Sequence, residues 1–171
     1  MLTHKSQRVG IFIDVQNLYH GAKNLYRGRV NYKELIKNLT ANRPLIRAIG
    51  YVVKSDAASA QDTAESAFFE ALENAGIELR MKELQIFAGG MKKANWDVGM
   101  AVDAIRMSGF LDAVILVTGD GDFVPLVEYL KWGLGRQVEV AAFGRNTSGK
   151  LKEAADIFID LERMPRVIIK K

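Results

Sequence analysis

Short apolar runs alternate with helix-patterned segments along nearly the whole chain, and this alternation limits the folds open to it. Residues 9–15, 45–53, 112–118 and 137–143 read as buried strands, with Ala-Val-Ile-Leu-Val inside 112–118 the clearest. Helical spacing fills the intervals at 18–26, 32–39, 59–75, 96–108, 123–132 and 147–155. Asn31 is placed to cap the second helix, and Gly76 to stop the third. Residues 77–87 alternate apolar and polar side chains, as expected of a strand near a sheet edge. Residues 88–95 read as a flexible loop and 157–161 as a short last strand. Strands that alternate with helices define an α/β domain of three layers around a mostly parallel sheet of about five to six strands. The 171 residues suffice for one domain, read as 1–171 with a core at about 8–161, and 49% apolar content argues against disorder.

Ligands of such sheets bind beyond the carboxyl ends of the strands, where strand order reverses. Acidic residues gather at such places here. Asp14 ends the first strand in Phe12-Ile13-Asp14-Val15-Gln16-Asn17. Asp120 and Asp122 follow the fourth in Thr118-Gly119-Asp120-Gly121-Asp122-Phe123, and Asp97 opens the helix at 96–108. If the strands of such a fold run in the order 3-2-1-4-5, the first and fourth are neighbours and their acids share one crevice. A helical wheel puts Asp97 on the small, apolar side with Ala101, Ala104 and Ser108, with Val98 and Ile105 further along the same arc. It puts Asp103 on the polar side as an i,i+3 partner of Arg106. Each acid also has a local explanation: Asp14 and Asp122 as helix caps, Asp120-Gly121 as a turn, Asp97 as a helix-start acid favoured by the dipole. Three separate segments reaching one sheet edge favour a shared site. Like-charged carboxylates repel one another there, and a divalent cation relieves the repulsion.

Composition narrows the chemistry. The chain has no cysteine and two histidines, His4 and His20, so disulfides, thiol nucleophiles and histidine-rich metal sites are excluded. A hard cation on oxygen ligands remains, Mg²⁺ or Mn²⁺. A net charge of +4 and a pI near 9.3 suit an anionic partner. Lys93, Arg145 and Lys150 lie near the acids in sequence or at an adjacent predicted strand end. No apolar run reaches membrane-spanning length and the amino end lacks an apolar targeting stretch, so no membrane partner and a cytoplasmic location are expected. Gly144-Arg-Asn-Thr-Ser-Gly149-Lys150 matches a phosphate-binding P-loop, but Leu151 stands where a Ser or Thr should meet Mg²⁺. It is better read as a helix entry whose Thr147, Ser148 and Lys150 face a phosphate. Trp96 and Trp132 are expected to pack rather than to stack on bases.

Phe-Ile-Asp14-Val-Gln-Asn17-Leu, Lys93-Ala-Asn-Trp-Asp97-Val-Gly-Met and Leu-Val-Thr-Gly-Asp120-Gly-Asp122-Phe, in this order, resemble the NYN domain of LabA-like proteins, in the PIN-like nuclease superfamily. The resemblance covers residues 8–161. It implies a Rossmann-like, PIN-like sheet of order 3-2-1-4-5 and a Mg²⁺ or Mn²⁺ site on Asp14, Asp97, Asp120 and Asp122. Asn17 serves as an auxiliary polar group, and Ser148-Gly-Lys-Leu151 matches the family's late Ser-x-x-Leu. Lys93 to Asp97 is one residue longer than the family's usual Lys-Gly-Val-Asp. The expected activity is metal-dependent hydrolysis of RNA, most simply single-stranded. Asn17, Ser148 and Asp103 would be auxiliary, and Lys93, Arg145 and Lys150 would bind the RNA backbone. The alternative is a non-catalytic RNA-binding or regulatory NYN module. A homodimer is left open.

Overall fold

The computed structural model describes residues 3–54, 61–86, 88–90, 92–93 and 95–170. In chain order the elements are β1 (Val9–Asp14), α1 (Val15–Tyr26), β2 (Gly28–Val30), α2 (Tyr32–Thr40), β3 (Leu45–Lys54), α3 (Gln61–Asn74), β4 (Glu78–Glu83), β5 (Gln85–Ile86), β6 (Lys92–Lys93), α4 (Asp97–Met107), β7 (Ala113–Val117), α5 (Val124–Glu128), β8 (Gln137–Ala142), α6 (Gly149–Ala154), β9 (Ile157–Asp160) and β10 (Ile168–Lys170). Six strands form one sheet in the order β4-β3-β1-β7-β8-β9, and every pairing in it is parallel. Numbered among themselves, these strands run 3-2-1-4-5 as expected, with the sixth added at the far edge. The chain leaves β1 toward β3 and β4 and then crosses back to β7, so the order reverses between β1 and β7.

The pattern of β7 follows from its place. All five of its residues are fully buried, because helices cover both faces of a parallel sheet. Ala113, Ile115 and Val117 join the core beneath α1, α2 and α3, while Val114 and Leu116 join the core beneath α4, α5 and α6. β4, by contrast, carries mostly exposed and charged side chains, which suits an edge and discourages further pairing. Asn31 caps α2 through Glu34 N–H, and Gly76 follows α3 with φ of +85°. The first two residues of the expected helix at 59–75 lie outside the described residues.

Three expectations are corrected. The loop at 88–95 contains β6, which pairs antiparallel with β5, Gln85 against Lys93 and Ile86 against Lys92. Two-residue strands carry no periodicity, so the hairpin left no mark on the sequence. The helix expected at 123–132 is broken into a 3-10 turn at Gly121–Phe123, α5, and a π turn at Tyr129–Gly133. Its last turn therefore leaves Trp132 82% exposed rather than packed. β2 and β10 form a further small antiparallel pair.

At the amino-terminal end of the sheet a charge pair is sealed between β8 and the end of α2. Arg43 and Glu139, both almost fully buried, meet at 2.5 and 3.0 Å, and Gln137 donates to Glu139 at 2.8 Å. Breaking a buried pair strands the surviving charge, at about 3–5 kcal/mol. Glu139→Ala is therefore expected to lower unfolding free energy by about that amount in urea titration. A loss under about 1 kcal/mol would show that Arg43 finds water or another partner.

Candidate metal centre

The reversal between β1 and β7 brings two strand ends together. Ile13 is in register with Val117, so Asp14 and the Thr118–Asp120 turn emerge side by side. Asp14 caps α1: its Oδ1 accepts from Asn17 N–H at 3.1 Å and its Oδ2 from the Thr118 hydroxyl at 3.3 Å. Asp120 caps the next turn, with Oδ1 accepting from Asp122 N–H at 2.9 Å. Asp14 is the helix cap foreseen from sequence; Asp122 is not a cap but lies inside the 3-10 turn that Asp120 caps, and α5 begins without a side-chain cap. A carboxylate that caps with one oxygen can still present the other.

Two glycines let the Asp120 turn seat closely. A Cβ on Gly119 would lie 2.7 Å from the Asn146 carbonyl oxygen, and one on Gly121 would lie 2.8 Å from Ser148 Oγ. Asn17 braces the same turn by accepting from Gly119 N–H at 3.1 Å.

Asp97 arrives from the other side, at the start of α4. Trp96 fixes that start: its indole N–H donates to Val52 C=O at 2.8 Å and its ring packs on Tyr51 at 5.4 Å between centroids. Gly99 leaves room for the indole, since a Cβ there would come within 2.5 Å of it. Asn95 donates to Asp97 Oδ2 at 2.5 Å and accepts from Asp97 N–H at 2.6 Å.

Asp97, Asp120 and Asp122 each offer one oxygen, and these oxygens all lie within 4.8 Å of one another. Two oxygens bound on opposite sides of one Mg²⁺ lie about 4.2 Å apart, so modest rotamer shifts close the set onto an ion. Asp14 is outside this trio but lines the same cleft of about 200 Å³ with Asp97, Asp120, Gln16, Asn17, Tyr51, Asn95 and Trp96. No Lys or Arg is among those lining residues. Burial pushes the Asp14 carboxyl above its ordinary value, outweighing the Asn17 N–H, and the charges of Asp97 and Asp120 push it the same way. Clustered carboxylates with oxygen-only donors, and no cation among the lining residues, fit a hard divalent cation.

The remaining sequence candidates are spread around this cleft. Ser148 starts α6 and its Oγ faces Gly121. Lys150 is exposed on the first turn of α6. Arg145 is held by Glu162 at 3.1 Å and by the Tyr26 hydroxyl at 3.2 Å. Lys93 belongs to β6, and its side chain lies outside the described residues. Leu151 is fully buried and cannot meet a cation, which disposes of the P-loop.

Asp103 requires a correction. It is 3% exposed, accepts from the Tyr51 hydroxyl at 3.0 Å and pairs with Arg80 at 3.4 Å, not with Arg106. The buried arc of α4 runs from Asp103 through Met100 and Ala104 to Ser108, wider on the Asp103 side than the small-residue arc expected from sequence. Asp97 and Asp103 flank Met100 at about 60° on either side. Val98 and Ile105, expected inward, are exposed. Asp103 stands behind the cleft, where it orients Tyr51; burial, with the Asp103 charge second, holds the Tyr51 hydroxyl firmly protonated. Trp96 packs, as expected from the sequence. Tyr51, Asn95, Gln16 and Thr118 were not among the sequence candidates, although Asn95, Gln16 and Thr118 carried a local signal as polar residues flanking the acids.

An acidic cleft at the switch point of a Rossmann-like sheet is the arrangement of PIN-like proteins. The NYN domain model matches residues 8–162, and the chain belongs to the NYN domain family. It is 26% identical over 166 residues to the Low amplitude and bright protein LabA of Synechococcus elongatus, covering 94% of this chain and 87% of that one. A crystal structure of a Vibrio parahaemolyticus protein of unknown function, VPA0982, superposes with a TM-score of 0.86 at 30% identity, covering 99% of this chain and all of that one. No helix among the described residues is long and apolar enough to cross a membrane.

The raised Asp14 pKa has a consequence for stability. The folded chain holds this proton more tightly than the unfolded chain, whose carboxyl titrates near the ordinary 3.8. Stability from this group therefore falls as pH rises from that value through the raised one. In EDTA, Asp14→Asn is expected to melt above the parent at pH 7, with the difference shrinking toward pH 4. Mg²⁺ at ten times its Kd is expected to raise the parent's Tm by about 3–6 °C, and the variant's by less. A variant that melts below its parent at pH 7 in EDTA would contradict this electrostatic picture.

Proposed function

We propose that the chain is a metal-dependent ribonuclease that hydrolyses phosphodiester bonds in single-stranded RNA. The observation that carries this reading is the convergence of Asp97, Asp120 and Asp122 within 4.8 Å in a NYN domain, at a cleft that Asp97, Asp120 and Asp14 line and no Lys or Arg does. NYN membership makes nucleic acid the substrate class. Asp97, Asp120 and Asp122 would hold Mg²⁺ or Mn²⁺, with Asp14 close behind them. A divalent cation there neutralises phosphate charge and lowers the pKa of a water bound to it.

The chain's own groups do the rest. Asn17 holds the Gly119–Asp120 turn, and Asp103 holds Tyr51 against the cleft wall. Tyr51 and Trp96 keep that wall rigid, so the carboxylates stay aligned as the phosphate enters. Ser148, whose Oγ lies beside Gly121, would donate a hydrogen bond to a phosphate oxygen. Lys150 and Lys93 attract the flanking backbone, and Arg145 tethers the segment that carries Ser148. No histidine is needed as a base, which suits a chain whose two histidines are His4 and His20.

The test uses labelled single-stranded RNA with the parent protein and with Asp120→Asn. Cleavage is expected in Mg²⁺ or Mn²⁺ and not in EDTA. Asp120→Asn is expected to slow it by roughly a hundredfold or more, a barrier rise of about 2.7 kcal/mol. Cleavage that survives both EDTA and Asp120→Asn would refute the reading. Salt-sensitive RNA binding with no turnover in either metal would replace it with the non-catalytic module.

A further inference from the structure

A furrow leaves the acidic cleft along α1. Gln16 lines both the cleft and a second cavity of about 400 Å³, which also takes in Tyr19, His20 and Phe68. Tyr19, Ala64 and Phe68 then line both this cavity and a third of about 670 Å³ between α1, α2 and α3. One wall is the face of α1 that runs Gln16, Tyr19, Lys23, roughly 10 Å of helix starting beside Asp14. The other is α3, where Ala64, Ala67 and Ala71 leave the space open.

Chemistry changes along the furrow. Tyr19 is 43% exposed, with its edge against Phe68 and Lys23 Nζ 5.9 Å from its ring centre. Glu65 is the acid on the middle stretch. At the far end the charged side chains are Arg29 and Lys33, both cationic and both exposed. Tyr32 lines that end and is 7% exposed. Aromatic rings and cations together suit nucleotides, whose bases stack and whose phosphates need positive charge.

We infer that this furrow is a strand-tracking subsite for single-stranded RNA, in which a base stacks at Tyr19 and Phe68 and a backbone phosphate remote from the acidic cleft is held by Arg29 and Lys33. The inference rests on the ribonuclease reading for its occupant, and on the continuity of the furrow with the cleft for its direction. The protein then favours RNA long enough to reach from one end to the other.

The experiment measures anisotropy of labelled trinucleotide and twelve-nucleotide RNA with full-length protein in Ca²⁺ buffer, with RNA integrity checked on gels. The variants are Tyr19→Ala and Arg29→Ala/Lys33→Ala, all at exposed positions. The parent is expected to bind the longer RNA at least about tenfold more tightly. In the double variant that ratio falls toward one, and the salt dependence of the longer RNA loses about 0.7 in log–log slope, one phosphate contact's worth. Tyr19→Ala reduces the ratio about threefold or more. A parent without length preference, or a preference that survives both variants, overturns the subsite. Loss of free AMP binding in the double variant as large as the loss for the long RNA also overturns it, in favour of a free-nucleotide pocket. Turnover by the parent protein in Mg²⁺ or Mn²⁺ separates the two claims: its absence defeats the ribonuclease reading, whatever happens to the length preference.

Discussion

The parallel pairing of β1 with β7 is the constraint on which the rest of the site depends. It puts Ile13 opposite Val117, so both strands end at one level and turn into their next elements side by side. Asp14 caps one element and Asp120 the other, and Thr118 and Asn17 cross between them at 3.3 and 3.1 Å. The pairing is secured by burial on both faces: β7 contributes alternate residues to two cores and exposes none. A one-residue slip would exchange those faces, and would also separate Asp14 from the turn it braces.

What this arrangement gains in proximity it loses in electrostatics. Burial and the charges of Asp97 and Asp120 disfavour ionised Asp14. The cleft's described lining carries no cationic side chain in answer. A sheet end of this kind is a poor structural device and a good receptor for a divalent ion. The surrounding order is consistent with that role. Trp96 is pinned to Val52 and Tyr51 to Asp103, and the Asp120 turn is fitted by glycines against the loop that carries Ser148. The parts of the site that would have to stay still are those with the most partners.

The buried run of β7 and the location of Asp14 and Asp120 were legible in the residues themselves, because strand burial leaves apolar runs that end where the acids stand. The motifs added the family, and the family the strand order. Other features depend on contacts between residues distant in sequence. Asp103 looked solvated because the wheel was centred on Ala101, Ala104 and Ser108, whereas the buried arc also takes in Met100 and reaches Asp103. Its partner Tyr51 is on β3, with nothing local to announce the pairing. The β5–β6 hairpin is too short to have a period. Trp132 reads as core by composition, and a π turn puts it outside.

The central claim is that Asp97, Asp120 and Asp122 share a divalent cation. Anomalous diffraction from a crystal soaked in Mn²⁺ tests it most directly. The account predicts one or two peaks at the carboxyl ends of β1 and β7, with oxygens of these three residues about 2.1 Å away. A crystal saturated with Mn²⁺ that shows no peak there, with the three carboxylates turned apart into solvent, would contradict it.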